Sequence, residues 1–296
     1  MKNQLITFSP LIVGCMRLGT WGVNMTTKAL EAFVEECLAL GLNDFDHADI
    51  YGHYTTEEAF GKLLKLRPEL RSKIQITTKC GIRLTSENRP AHTINSYDSS
   101  KDHIITSAEN SLRFLATDYL DVLLIHRPDF LMNPHEIAEA FEQLKSAGKV
   151  KHFGVSNFTK DQFDLLNSLI PLVTNQIEIS ITHLNAFTDG TLLQCQQHNI
   201  APTAWSPLGG GAVFGQSEDE KIQRIQEMGH TLAEKYEVDL DEILMVWLLK
   251  HPAGIIPVIG TSKIKRVQSA LNATKIEMSK EDWYRLWKAS TGREID

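Results

Sequence analysis

DFDHADIY, residues Asp44–Tyr51, begins as a short β-like run, ends it on the carboxylate Asp46, and carries a phenol, Tyr51, into the loop beyond. The same construction recurs at ITTKC (76–80), which delivers Lys79, and at LLIHRPD (123–129), which delivers His126. Outward from these three, runs of the same kind stand at LIVG near Leu11, VKHFGVS near Phe153, LVTNQIE near Val173, IAPTAWS near Thr203 and GIIPVIG near Ile256, making eight strand candidates. Amphipathic stretches of helical period follow them, at about Ala29–Leu40, Thr56–Lys65, Lys101–Leu115, Pro134–Ala147, Lys160–Leu169, Gly190–His198, Lys221–Tyr236 with Leu240–Leu249, and Ser262–Asn272. Asn133 before Pro134, and Ser279 with Glu281 nearby, predict helix starts, while Gly41 and Gly148 predict helix ends.

Apolar strands separated by helices argue for a parallel sheet. No charged or Pro/Gly-rich linker divides the 296 residues. The expectation is therefore an α/β chain forming a single domain over 1–296, a closed (β/α)8 TIM barrel, with a doubly wound sheet as the alternative that strand count alone leaves open. Chemistry in such a barrel belongs at the C-terminal ends of the strands. Asp46, Lys79, His126, Ser156 with Asn157, Gln176, Trp205 with Ser206, and Thr261 with Ser262 all stand there. A carboxylate, an ammonium, an imidazole and the Tyr51 phenol brought together suit proton delivery to a carbonyl oxygen.

Composition narrows the class. A net charge of -7 and a pI near 5.9 disfavour a nucleic-acid partner, which needs a concentrated basic face. The start, MKNQLITFSPLIVG, lacks the pattern of a secretory signal, and Ile243–Leu249 is too short to span a bilayer. A cytoplasmic protein with no membrane partner is expected. Cys15, Cys37, Cys80 and Cys195 show no CxxC spacing and read as packing thiols, with Cys80 beside Lys79 the one open to perturbation. His47, Asp49 and His53 superficially resemble metal ligands, yet strand alternation puts Asp46 and His47 on opposite faces, so no metal is expected. Neither GxGxxG nor GxxxxGK[ST] occurs, which argues against an ordinary dinucleotide domain and a P-loop nucleotidase. Trp283 and Trp287, spaced i and i+4, read as a packing stripe.

The order of these residues, together with GTW (19–21), GVSNF (154–158), NQIE (175–178), WSPLGGG (205–211) and PVIGTSKIKR (257–266), resembles the aldo-keto reductase superfamily over nearly the whole chain. DHADIYG, TKCGI, IHRPD and HFGVSNF bring it nearest to the bacterial YdhF-like oxidoreductases of that superfamily. The resemblance implies a (β/α)8 barrel that uses a nicotinamide cofactor without a Rossmann fold and reduces a small-molecule aldehyde or ketone. It makes Tyr51 the general acid, Lys79 its electrostatic partner, Asp46 the carboxylate that holds Lys79, and His126 the group that orients the substrate oxygen. A cation beside a phenol lowers its pKa, which suits that pairing.

By the same resemblance Ser156, Asn157 and Gln176 hold the nicotinamide carboxamide, Trp205 stacks on its ring, and Ser206 and Leu208 follow the pyrophosphate. Thr20 joins the cofactor site, and Trp21 walls the substrate pocket. Gly260, Thr261, Ser262, Lys263 and Arg266 suit a ribose 2'-phosphate, so NADP(H) is the cofactor expected. Ala270 departs from the Asn that many relatives carry for adenine. The competing reading is a cofactor-binding regulatory module with weak or no turnover. Oligomeric state is not legible.

Overall fold

The computed structural model describes residues 6–295. The first five residues of the MKNQLITFSPLIVG stretch, and Asp296 at the far end of the expected domain, lie outside them. Eight parallel strands appear where the sequence places them: β1 (Ile12–Gly14), β2 (Asp44–Asp46), β3 (Gln75–Cys80), β4 (Leu120–Ile125), β5 (Val150–Ser156), β6 (Asn175–Glu178), β7 (Thr203–Trp205) and β8 (Ile256–Ile259). They are ordered around the sheet as in the sequence, and β8 returns to β1, closing a barrel. Closure excludes the doubly wound alternative. Every residue of β4 is buried, as a strand covered on both faces must be.

The chain clusters into two compact units, residues up to Gln176 with Gly260–Ile264, and Ile177–Ile259 with the residues from Lys265 onward. In the first unit, helices Thr27–Ala39, Thr56–Leu66, Lys101–Leu115, Pro134–Ser146 and Lys160–Asn167 follow the first five strands. Asn133 caps its helix by accepting from His135 N, and Gly41 and Gly148 take the left-handed conformation just past their helices. Phe141 of one helix stacks on Phe153 of β5 with centroids 4.1 Å apart. Near the N-terminal end of β3, Arg71 reaches Asp121 at 2.7 Å and the Ile74 carbonyl at 2.9 Å, and Asp121 also accepts from Ile76 N. Polar groups at that end stabilise, whereas those at the opposite end are free for chemistry. The segment Gly81–Ser100, between β3 and the helix Lys101–Leu115, contains an antiparallel hairpin of Ile82–Arg83 and Ser96–Tyr97.

The second unit carries helices Thr191–His198, Glu220–Tyr236, Leu240–Leu249 and Lys280–Thr291. Trp283 and Trp287 are the packing stripe expected: Trp283 stacks on Trp247 at 5.2 Å and on Trp287 at 5.5 Å. The indoles of Trp247 and Trp283 each donate to the other residue's carbonyl, at 3.1 and 2.9 Å, which satisfies both indole N–H groups. Buried Asp282 accepts from Lys235, Tyr236 and Ser279, tying the last helix down. The glycines after Trp205 form a 3-10 turn, Gly209–Phe214.

Candidate active site

Asp46 is the last residue of β2 and pairs in register with Thr77 of β3. Lys79, two residues on, shares the Thr77 face and stands one layer nearer the C-terminal end. Its ammonium donates to both Asp46 oxygens at 2.8 and 2.7 Å, to the His47 carbonyl at 2.8 Å and to the Tyr51 hydroxyl at 3.1 Å. Lys79 is only 1% exposed, so an unpaired ammonium there would be costly. The Tyr51 ring meets His126 edge-on at 6.1 Å. All four residues picked from the three runs are thus brought together.

A fifth group was not anticipated in this place. Gln176, expected at the carboxamide, donates its Nε2 to Asp46 Oδ1 at 2.9 Å. Neighbouring Ser156 donates to the Gln176 carbonyl at 2.8 Å, and Asn157 Nδ2 reaches Ser156 Oγ at 2.8 Å and the His126 carbonyl at 3.3 Å. Ser156, Asn157 and Gln176 therefore share one hydrogen-bonded layer with the tetrad.

Tyr51 is aimed by an unusual turn. Gly52, His53 and Tyr54 are all left-handed, with φ of 59°, 55° and 69°, a conformation only glycine adopts without cost. Thr20 and Thr55 donate to the Gly52 carbonyl at 3.1 and 2.6 Å, Asn88 donates to the His53 carbonyl at 2.9 Å, and the Tyr54 hydroxyl accepts from Leu84 N at 2.8 Å. A Cβ on Gly52 would meet Thr56 and Thr20 hydroxyls at 2.6 and 2.7 Å. Thr20, read as a cofactor residue, is here a brace for this turn. Trp21 packs on Ala48, Ile50 and Tyr54 beside Tyr51, and meets His53 edge-on at 5.2 Å.

Burial dominates the electrostatics. It pulls Lys79 down, but Asp46 and Tyr51 outweigh it and hold the ammonium above the ordinary lysine value. Tyr51 corrects the sequence reading: burial raises its pKa by more than Lys79 lowers it, so the phenol stays protonated near neutrality. Burial, then Lys79 and Arg127, push His126 well below the usual range, leaving a neutral imidazole. Its Nδ1 is buried without a hydrogen-bond partner among the described residues. Asp46 and His47 do take opposite faces: His47 is packed edge-on against Phe60 at 4.6 Å, and burial lowers its pKa to about 3. No group of three metal-ligating side chains occurs among the described residues. Cys80 is buried and its thiol is pushed well up by burial and by Asp49 and Glu57, the opposite of an activated thiol.

Sequence reasoning missed Glu57, which looks like an ordinary helical residue. It is buried beside β3, accepts from Thr78 at 2.5 Å, and burial raises its pKa to about 7. Elsewhere, Trp205 ends β7 and Ser206 follows with φ 50°, with Leu208 just before the 3-10 turn. Gly260, Thr261, Ser262 and Lys263 lead from β8 into the helix Ile264–Ala273, which carries exposed Arg266 in its first turn.

Residues 10–290 match the model of the aldo/keto reductase family. The chain belongs to the aldo/keto reductase family. It is 46% identical to the uncharacterized oxidoreductase YcsN of Bacillus subtilis, covering 98% of this chain and 97% of that one. It is also 46% identical to the oxidoreductase YdhF of Escherichia coli, covering 97% and 95%. A 6-dehydroglucose reductase of Agrobacterium fabrum is 39% identical over 99% of this chain and 98% of its own. The fold is shared with the thermostable aldo-keto reductase Tm1743, solved with the inhibitor epalrestat, at a TM-score of 0.80, 24% identity and 97% coverage of each chain. This aldo/keto reductase is an oxidoreductase, from a family that uses NAD(P)H. Among its described residues no helix is long and apolar enough to cross a membrane.

Proposed function

We propose that the protein is an NADPH-dependent reductase of aldehydes or ketones in which Tyr51 is the general acid. The observation that carries this is the hydroxyl of Tyr51 held 3.1 Å from a lysine that both oxygens of Asp46 keep charged. A protonated phenol is the form a donor needs, and the adjacent ammonium stabilises the phenolate left behind. His126, a neutral imidazole edge-on to Tyr51, donates through Nε2 to the substrate oxygen and fixes its lone pair toward Tyr51. Trp21 and His53 wall the approach.

The cofactor fits the residues present. Gln176 spends its Nε2 on Asp46, which leaves Oε1 to accept a carboxamide N–H, and Asn157 and Ser156 hold that layer in place. The nicotinamide, when bound, supplies the hydride. Trp205 offers the flat face for its ring, with Ser206 and Leu208 beside the pyrophosphate. The start of helix Ile264–Ala273, with Thr261, Ser262, Lys263 and Arg266, suits the extra phosphate of NADPH. Four buried, unpaired cysteines suit a reducing compartment, the cytoplasm.

The name of the Agrobacterium relative makes sugars bearing an aldehyde the first substrates to try. Incubating the protein with NADPH and a panel of such sugars, simple aldehydes and ketones should consume NADPH in a substrate-dependent way. Tight NADPH binding with no consumption across the panel would favour the regulatory-module reading instead.

A further inference from the structure

Within the second unit, a cavity of about 580 Å³ is lined by Thr182, His183, Leu184, Asn185, Lys221, Arg224, Ser290, Thr291 and Arg293. Three of these nine carry a fixed positive charge, one more is an imidazole, and none is a carboxylate. In a chain of net charge -7, a wall of that composition is a local inversion of sign. None of the residues named for carbonyl reduction lines it. From this juxtaposition we propose that Lys221, Arg224 and Arg293 form a binding site for a phosphate monoester dianion borne on a small molecule.

The cations are held rather than loose. Lys221 donates one proton to the Thr182 carbonyl at 2.9 Å, which leaves two for a ligand. Arg224 donates through Nε to the Ala289 carbonyl at 3.2 Å, so its terminal nitrogens face outward from a fixed stem. Gly292 makes room for that guanidinium: its φ is 71°, and a Cβ there would come within 2.8 Å of an Arg224 terminal nitrogen. The same glycine ends the helix Lys280–Thr291 and hands the chain on to Arg293. A planar guanidinium fork binds phosphate oxygens in pairs, and a lysine adds a point charge.

Two acids lie near. Glu220 is 3.8 Å from Arg224 but its side chain is 90% exposed, and Glu178 is 3.5 Å from His183. Neither lines the cavity. Three fixed charges balance a dianion better than a single carboxylate. The hydroxyl of Ser290 is spent on the Ile181 carbonyl, that of Thr291 on the Trp287 carbonyl, and that of Thr182 is paired with Ser180, so the Asn185 amide is a neutral donor beside the cations.

The test uses the full chain, with amide spectra recorded during titration with inorganic phosphate and, separately, acetate, at constant ionic strength. Phosphate should move the amides of 182–185 and 291–293 saturably, and acetate should do so at least tenfold more weakly. Arg293→Glu reverses the charge of an exposed side chain, and with Lys221→Gln it should weaken phosphate binding at least tenfold, as loss of one charge-assisted bond predicts. Arg266→Ala should leave that binding unchanged. Shifts confined to residues 260–266, unchanged affinity in both cavity variants, or equal response to acetate would each overturn the assignment.

Discussion

Replacing Asp46 with Asn should cost more stability than any other single change in the active site, and the loss should depend on pH with a defined sign. In the native protein the buried Lys79 ammonium is balanced by both Asp46 oxygens and bonded to two further acceptors. The amide offers one oxygen and no charge, so the ammonium is left uncompensated in a site where it is 1% exposed. Removing one partner of a buried pair costs about 3–5 kcal/mol, a large share of the ~5–15 kcal/mol that a folded domain has. In the wild type, Lys79 titrates above its ordinary value, so its contribution is fully present below about pH 10.5 and is lost only as the pH rises through the folded value. Without Asp46, burial dominates and the folded value falls below the unfolded one. Stability of the variant relative to wild type should then climb as the pH rises from about 7 toward 10. Urea unfolding of both proteins across that range reads the effect directly. A variant within about 1 kcal/mol of wild type, with a flat difference across the range, would refute the balance of burial and charge assigned to Lys79.

Other substitutions probe separate parts of the account. Arg266→Ala should weaken NADPH by roughly 10- to 150-fold and leave NADH almost unchanged, measured by tryptophan fluorescence titration; equal weakening of both would move the phosphate elsewhere. Glu57 is protonated in the folded state to about pH 7, so wild-type stability should fall by roughly 3 kcal/mol between about pH 4.5 and 8 on its account, since the unfolded carboxyl ionises first. Glu57→Gln keeps an acceptor for Thr78 and should remove that slope; an unchanged slope would place the proton elsewhere. Trp247→Ala should lower stability by about 3–5 kcal/mol through loss of the stacked indoles, with NADPH affinity retained once folded, checked by urea unfolding beside the same titration.

Eight strands and the four tetrad residues were legible because Asp46, Lys79 and His126 each stand at the end of an apolar run, Tyr51 follows in the loop after the first, and a closed parallel barrel gathers the C-terminal ends of its strands. Geometry that depends on residues distant in sequence was not legible. The bond from Gln176 to Asp46 crosses 130 positions, and nothing in NQIE marks its amide for a carboxylate. The left-handed turn Gly52–Tyr54 is signalled only by Gly52, since His53 and Tyr54 adopt it because Asn88 and the hairpin backbone hold them there. That hairpin lies in a segment with no alternating pattern long enough to reveal two-residue strands. Glu57 sits in an amphipathic helix whose charge pattern disguises a buried carboxyl. Tyr51 shows the limit of reading chemistry from neighbours alone: the nearby cation was evident, but the greater effect of burial on the phenol needed the packed structure.

The most direct test of the central claim is NADPH oxidation by Tyr51→Phe with an aldehyde that the wild type reduces. The substitution removes the transferable proton and leaves the ring, Lys79 and Asp46 in place. The kcat of Tyr51→Phe should fall by about 10² to 10⁴ while the NADPH dissociation constant stays within about twofold of wild type. Turnover at the wild-type rate would contradict that claim.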